Sequence, residues 1–131
     1  MTATPLIFVG LSVSLAFRAG LFNIGAEGQL YAGALAAVAV GGLHGGTGVE
    51  LPPAVLFPAM LAAAALAGAV LMALPAIAKT RFGVDEVVTT LLLNFIVLLV
   101  VSMMLDGPMK DPTAMGWPQS VALQEELQLA K

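Results

Sequence analysis

Charge is scarce in this sequence. Only 10% of its 131 residues are charged, 60% are hydrophobic, and mean hydropathy is +0.99. A soluble domain carries roughly 25% charged residues, because its surface faces water. A chain this short buries too small a share of its surface to hide the surplus apolar area inside itself. Lipid is therefore part of its solvent. Cysteine is absent, which excludes a disulfide framework, a thiolate metal site and a Cys nucleophile. No G-x-x-x-x-G-K-[ST] loop is present, so there is no Walker-type ATP site on this chain. No basic n-region precedes the apolar stretch at Met1–Gly10, which argues against a signal peptide. The single histidine, His44, lies in a Gly-rich loop without Cys or carboxylate neighbours, too few ligands for a metal site. With no nucleophile–base spacing either, no catalytic residue, metal or cofactor is expected, and a net charge of −3 gives no reason to expect nucleic acid.

What the sequence does hold is long uncharged runs. No Asp, Glu, Lys or Arg occurs in residues 1–17, 28–49, 51–78 or 87–105. Crossing a hydrocarbon core takes roughly 20 apolar residues in a helix, and backbone in lipid must satisfy its own hydrogen bonds. Membrane β-strands would alternate apolar and polar residues, and Leu61–Leu74 does not. The expected fold is all-α: a polytopic helical membrane protein, with spans at about 3–17, 28–43, 53–78 and 86–105. Residues 106–131 are expected as an extramembrane loop, with a mildly amphipathic piece from Val121 to Ala130. The chain starts directly inside a span.

Local signals punctuate these spans. Gly20, Gly25 and Gly28 interrupt the first hydrophobic stretch, so a glycine-broken turn is expected between spans one and two. Gly41–Pro53 reads as a loop, and Pro53 suits the first turn of span three, with Pro75 expected to kink its last turn. Lys79–Asp85 reads as a short polar loop, with Asp85 the N-cap of span four and Glu86 suited to that helix's positive end. Arg18, Lys79 and Arg81 fall on one side of the resulting topology, and Lys110 and Lys131 on the other. The positive-inside rule places the first set in the cytoplasm.

The candidate functional residues are polar groups at membrane depth. Glu86, Thr90 and Asn94 are spaced i, i+4, i+8 and share one helical face. Such groups are expensive in a bilayer and usually face a bundle interior or an aqueous pathway. They can line a translocation route, or they can form an interhelical hydrogen-bond patch with Glu86 snorkelling to the interface. Asn23, Glu27 and Gln29 cluster at the glycine-broken turn, which can be a re-entrant element beside a pathway or a solvated turn between helices. Gly33, Ala37 and Gly41 form a small-residue stripe of the kind that permits close helix packing.

Four stretches carry a family resemblance. Phe17-Arg18-Ala19-Gly20-Leu21-Phe22-Asn23-Ile24-Gly25-Ala26-Glu27-Gly28-Gln29-Leu30-Tyr31 resembles a signature of ABC-importer permeases of the branched-chain amino acid, ribose and nucleoside group. Phe82-Gly83-Val84-Asp85-Glu86-Val87-Val88-Thr89-Thr90-Leu91-Leu92-Leu93-Asn94-Phe95-Ile96 is similar to its nucleoside and simple-sugar branch. So are Asp106–Pro112 and Trp117–Ser120, and the matches fall in order over most of Pro5–Ser120. Asp85 departs from a branch that often has Asn there. The resemblance implies that residues 1–131 are part of one transmembrane permease domain with more spans than these four, so that further sequence is expected on both sides. It implies a subunit importing nucleosides or related sugar-bearing solutes across the cytoplasmic membrane, with no chemistry of its own. It also implies partners: separate ATP-binding cassette ATPase subunits, a second permease subunit and an extracytoplasmic solute-binding protein, within the lipid bilayer. The rival reading is a structural or assembly membrane protein with no pathway. A proton-translocating proteolipid fits poorly, because Glu27 and Glu86 sit at span ends rather than mid-span.

Overall fold

The computed structural model describes residues 3–46 and 52–123, which form four helices and one isolated antiparallel bridge, Lys110 to Ser120. The helices are α1 (Ala3–Arg18), α2 (Ala26–Gly46), α3 (Pro53–Phe82) and α4 (Glu86–Asp106). Residues 47–51 of the expected Gly41–Pro53 loop and the greater part of the amphipathic piece, residues 124–130, lie outside the described residues, as does the His44 side chain.

Each boundary has a local cause. At the end of α1, Gly20 adopts φ +74°, and Leu21 N–H bonds to Ala16 O while Gly20 N–H bonds to Phe17 O. That pair of bonds is the Schellman closure, which glycine enters without a Cβ clash. Pro53 opens α3, where its missing N–H costs nothing. Gly83, φ +64°, closes it. The helix thus takes in Lys79–Phe82, read from sequence as loop, because polarity alone does not stop a helix and the left-handed glycine does. Asp85 caps α4, its Oδ1 accepting from Val87 N–H at 2.8 Å. Helix α2 starts at Ala26 and continues through Gly42, Gly45 and Gly46, so the segment expected to be loop from Gly41 is helical for its first six residues. Glycine costs roughly 1 kcal/mol per position in a helix, too little to end one whose backbone must stay bonded.

By length and composition α3 and α4 can each cross a membrane, and α1 is apolar but shorter. With 30 residues, α3 is about 45 Å long, more than a hydrocarbon core of about 30 Å. Lys79 and Arg81 in its last turn can therefore reach the headgroup layer.

The bundle is centred on α2, which packs against both α3 and α4, while α1 touches only α2 and buries no residue. A small apolar core joins Leu56 and Met60 of α3 to Ala37 and Val40 of α2 and to Leu123, which returns from beyond α4. Elsewhere the faces are open: Leu6, Phe8, Leu66, Val70 and Leu99 are exposed, as a helix surface meant for lipid or further helices would be.

Candidate functional site

The polar residues singled out in sequence converge where α1 ends, α4 begins and α2 starts. Glycines make this possible. A Cβ at Gly25 would lie 2.6 Å from Thr90 O, and one at Gly28 would lie 2.7 Å from Asn94 Oδ1. Without those side chains, the start of α2 seats directly on the first turns of α4. The two helices run in the same direction from this contact. Toward their C-terminal ends they part around an apolar cleft of about 190 Å³, lined by Tyr31, Ala34, Leu35 and Val38 of α2 and Val101 and Leu105 of α4. Met109 and Ser120 of the following loop complete its lining.

The stripe on α4 meets the turn 21–25 bond by bond. Phe22 N–H donates to Glu86 Oε1 at 3.4 Å, and Ile24 N–H donates to Thr90 Oγ1 at 3.2 Å. The same Thr90 hydroxyl donates to Val87 O. Thr90 is only 1% exposed, so both partners of its hydroxyl come from protein. Asn23, also buried, accepts from Gly25 N–H through Oδ1 at 2.9 Å and donates from Nδ2 to Gln29 Oε1 at 3.1 Å. Gln29 in turn donates to the Met72 sulfur of α3. Glu27, by contrast, is exposed and stands apart from this network.

Asn94 differs from the rest. It is 8% exposed, and its buried Oδ1 has no hydrogen-bond partner. A buried amide oxygen without a donor forfeits about 1–3 kcal/mol of desolvation. The oxygen lies against Gly28, where a Cβ would stand only 2.7 Å from it.

Among the participants that sequence reasoning missed, Lys79 is the charged one. From sequence Lys79 is part of a polar loop and a marker of sidedness, with no partner implied. Its ammonium bonds to Gly20 O at 2.7 Å and forms an ion pair with Glu86. The signal was a lysine and a glutamate seven residues apart across a glycine turn, which brings the end of one helix against the start of the next. On the other face of α2, Gly33 is seated on Ala64 of α3, where a Cβ would lie 3.2 Å from Ala64 O. Gly41 meets Met60 and Leu123, and Ala37 packs on the Leu56–Met60 pair. The stripe Gly33–Ala37–Gly41 thus faces α3.

Residues 1–129 match the family described as branched-chain amino acid transport system, permease component. The chain is 44% identical over 123 residues to the glucose ABC transporter permease protein TsgB13 of Haloferax volcanii, covering 94% of this chain and 31% of that protein. It is 43% identical over 108 residues to the guanosine ABC transporter permease protein NupP of Bacillus subtilis, covering 82% and 30%. A third relative, the nucleoside ABC transporter permease protein NupB of Lactococcus lactis, is 32% identical over 104 residues, covering 79% and 28%. The chain thus spans about a third of the length of the curated relatives it matches. No solved structure matches it.

Proposed function

The chain belongs to the permease component family of branched-chain amino acid transport systems, and from that premise we propose that it forms part of the membrane-spanning subunit of an ATP-driven importer. The solute class is nucleosides or related sugar-bearing molecules, in keeping with the guanosine, nucleoside and glucose permeases it is similar to. Hydrolysis of ATP falls to separate cassette subunits. A second permease subunit and an extracytoplasmic solute-binding protein complete the assembly, and the chain sits as a multi-pass protein in the cytoplasmic membrane.

Within this reading the route borders the junction of the 21–25 turn with α4. Asn94 is its polar marker, Asn23, Gln29 and Thr90 set its rim, Glu86 anchors one end and Glu27 presents an exposed charge in the first turn of α2. The observation that carries this placement is the buried Asn94 Oδ1 without a donor. A carbonyl held that way gains most from an arrangement in which a hydroxyl, an N–H or water passes in front of it. A second reading, interhelical glue, is favoured at Thr90 by its full burial and its bond to Ile24 N–H.

Asn94→Leu in the full-length permease separates the two. A pathway role predicts reduced uptake with expression and ATPase assembly intact, while Leu98→Ala, a same-face apolar change, leaves uptake unaltered. A packing role predicts that assembly and uptake fall together, because a leucine at 94 does not fit the close contact with Gly28. Unchanged uptake in well-expressed Asn94→Leu removes Asn94 from the route. Uptake of labelled guanosine, challenged in turn with unlabelled nucleosides and glucose, then fixes the solute class.

A further inference from the structure

Helix α1 is an outlier in this bundle, with no buried residue and a single helical neighbour. Its end, however, is tied down. Lys79, on the last turn of α3, donates to Gly20 O at 2.7 Å, and Gly20 is the left-handed residue that stops α1. The same ammonium pairs with Glu86 at the start of α4, and Glu86 Oε1 also receives Phe22 N–H at 3.4 Å. One cation therefore joins the exits of α1 and α3 to the entrance of α4, and its carboxylate partner holds the backbone of the turn that leads into α2. The Lys79 side chain is 35% exposed and that of Glu86 10%, so the junction is at the rim of the bundle with its anion tucked inward.

We propose that Lys79 is a positioning residue whose three-way junction with Gly20 and Glu86 makes α1 and the α3–α4 hairpin turn as one body, thereby setting the place of the 21–25 turn beside Asn94. An ion pair alone would not do this. The lysine must both neutralise Glu86 and donate to a main-chain carbonyl, which a carboxylate at position 79 cannot. Lys79→Arg keeps both functions, Lys79→Gln keeps a donor without charge, and Lys79→Met keeps neither. The charge swap Lys79→Glu with Glu86→Lys restores an ion pair but leaves Gly20 O without its donor and Phe22 N–H without its acceptor.

The consequence for uptake rests on the transport reading above; the motion of α1 does not. The test therefore uses the full-length permease in nanodiscs with its ATPase partner, spin-labelled at Ser12 on α1 and Leu92 on α4, both exposed, with other cysteines removed. Lys79→Met and the swap are expected to broaden the Ser12–Leu92 distance distribution, and Lys79→Arg to leave it narrow, with Lys79→Gln between. Maximal uptake should fall roughly two- to thirtyfold in Lys79→Met, with the half-saturating solute concentration unchanged. A swap that restores the narrow distribution overturns the three-way junction and leaves a simple ion pair. A narrow distribution in Lys79→Met overturns the proposal outright. Loss of expression in Lys79→Met shifts the test to Lys79→Gln, and a narrow distribution there is equally fatal. A broadened distribution with normal uptake keeps the junction and refutes its part in transport.

Discussion

Gly25 and Gly28 are the residues on which the α2–α4 contact depends most directly, because each stands where another atom already is. A methyl at Gly25 would lie 2.6 Å from the main-chain oxygen of Thr90, an atom that cannot rotate away. Gly25→Ala is expected to destabilise the folded permease by about 1–3 kcal/mol, the usual cost of forcing a group into a packed site. Gly10→Ala, with nothing within 4 Å, should be neutral or mildly stabilising, and thermal melting in detergent compares the two. Asp111 offers a pH-dependent counterpart outside the spans. The Thr113 hydroxyl and N–H both donate to its carboxylate, at 2.7 and 2.8 Å, holding its pKa below the usual carboxylate range. A group depressed in the folded state contributes its stabilisation above the ordinary Asp pKa and loses it as pH falls through the lowered value. Loop order around Thr113 should thus persist at neutral pH and be lost only in acid below that range. Trp117, the one tryptophan of the chain and largely exposed in the same loop, reports this by fluorescence in the wild type and not in Asp111→Asn.

At the scale of helices, Gly33→Leu is expected to break the α2–α3 seam, since its Cβ alone would press on Ala64 O. Val38→Leu faces the cleft between α2 and α4 and should be tolerated; co-purification with the ATPase distinguishes them. The amide and carboxylate spacing of Glu86, Thr90 and Asn94 was legible because a single helix fixes which residues share a face. So was the Asp85 cap, a local signal read three residues ahead. The ends of α2 and α3 were not, because glycines and charges look like punctuation in sequence while a bilayer penalises an unbonded backbone more than it penalises either. The partners of the stripe were hidden for a different reason. Nothing in Phe22 or Ile24 announces that their main-chain N–H groups will be claimed by side chains 64 and 66 residues away. Lys79 was hidden likewise, since its second acceptor is a carbonyl 59 residues earlier.

For the whole molecule, sidedness is the prediction with the widest reach. Thr113 and Thr80 are both exposed, so cysteines placed there report on accessibility rather than burial. In intact cells Thr113→Cys should react with an impermeant thiol reagent and Thr80→Cys should not; reaction at Thr80 alone would invert the orientation. The arrangement of α2 and α4 has a mechanical side as well. The two helices are clasped at Gly25 and Gly28 and open into a cleft at Val38 and Leu105. From Gly28 to Val38 is about 15 Å along the axis. A pivot of about 10° at the clasp therefore displaces the far wall by about 2.6 Å, close to the diameter of a water molecule. The glycine contact is a fulcrum placed near one end of a pair of levers, so that whatever sets the angle at the clasp is read, enlarged, at the opposite end of the bundle.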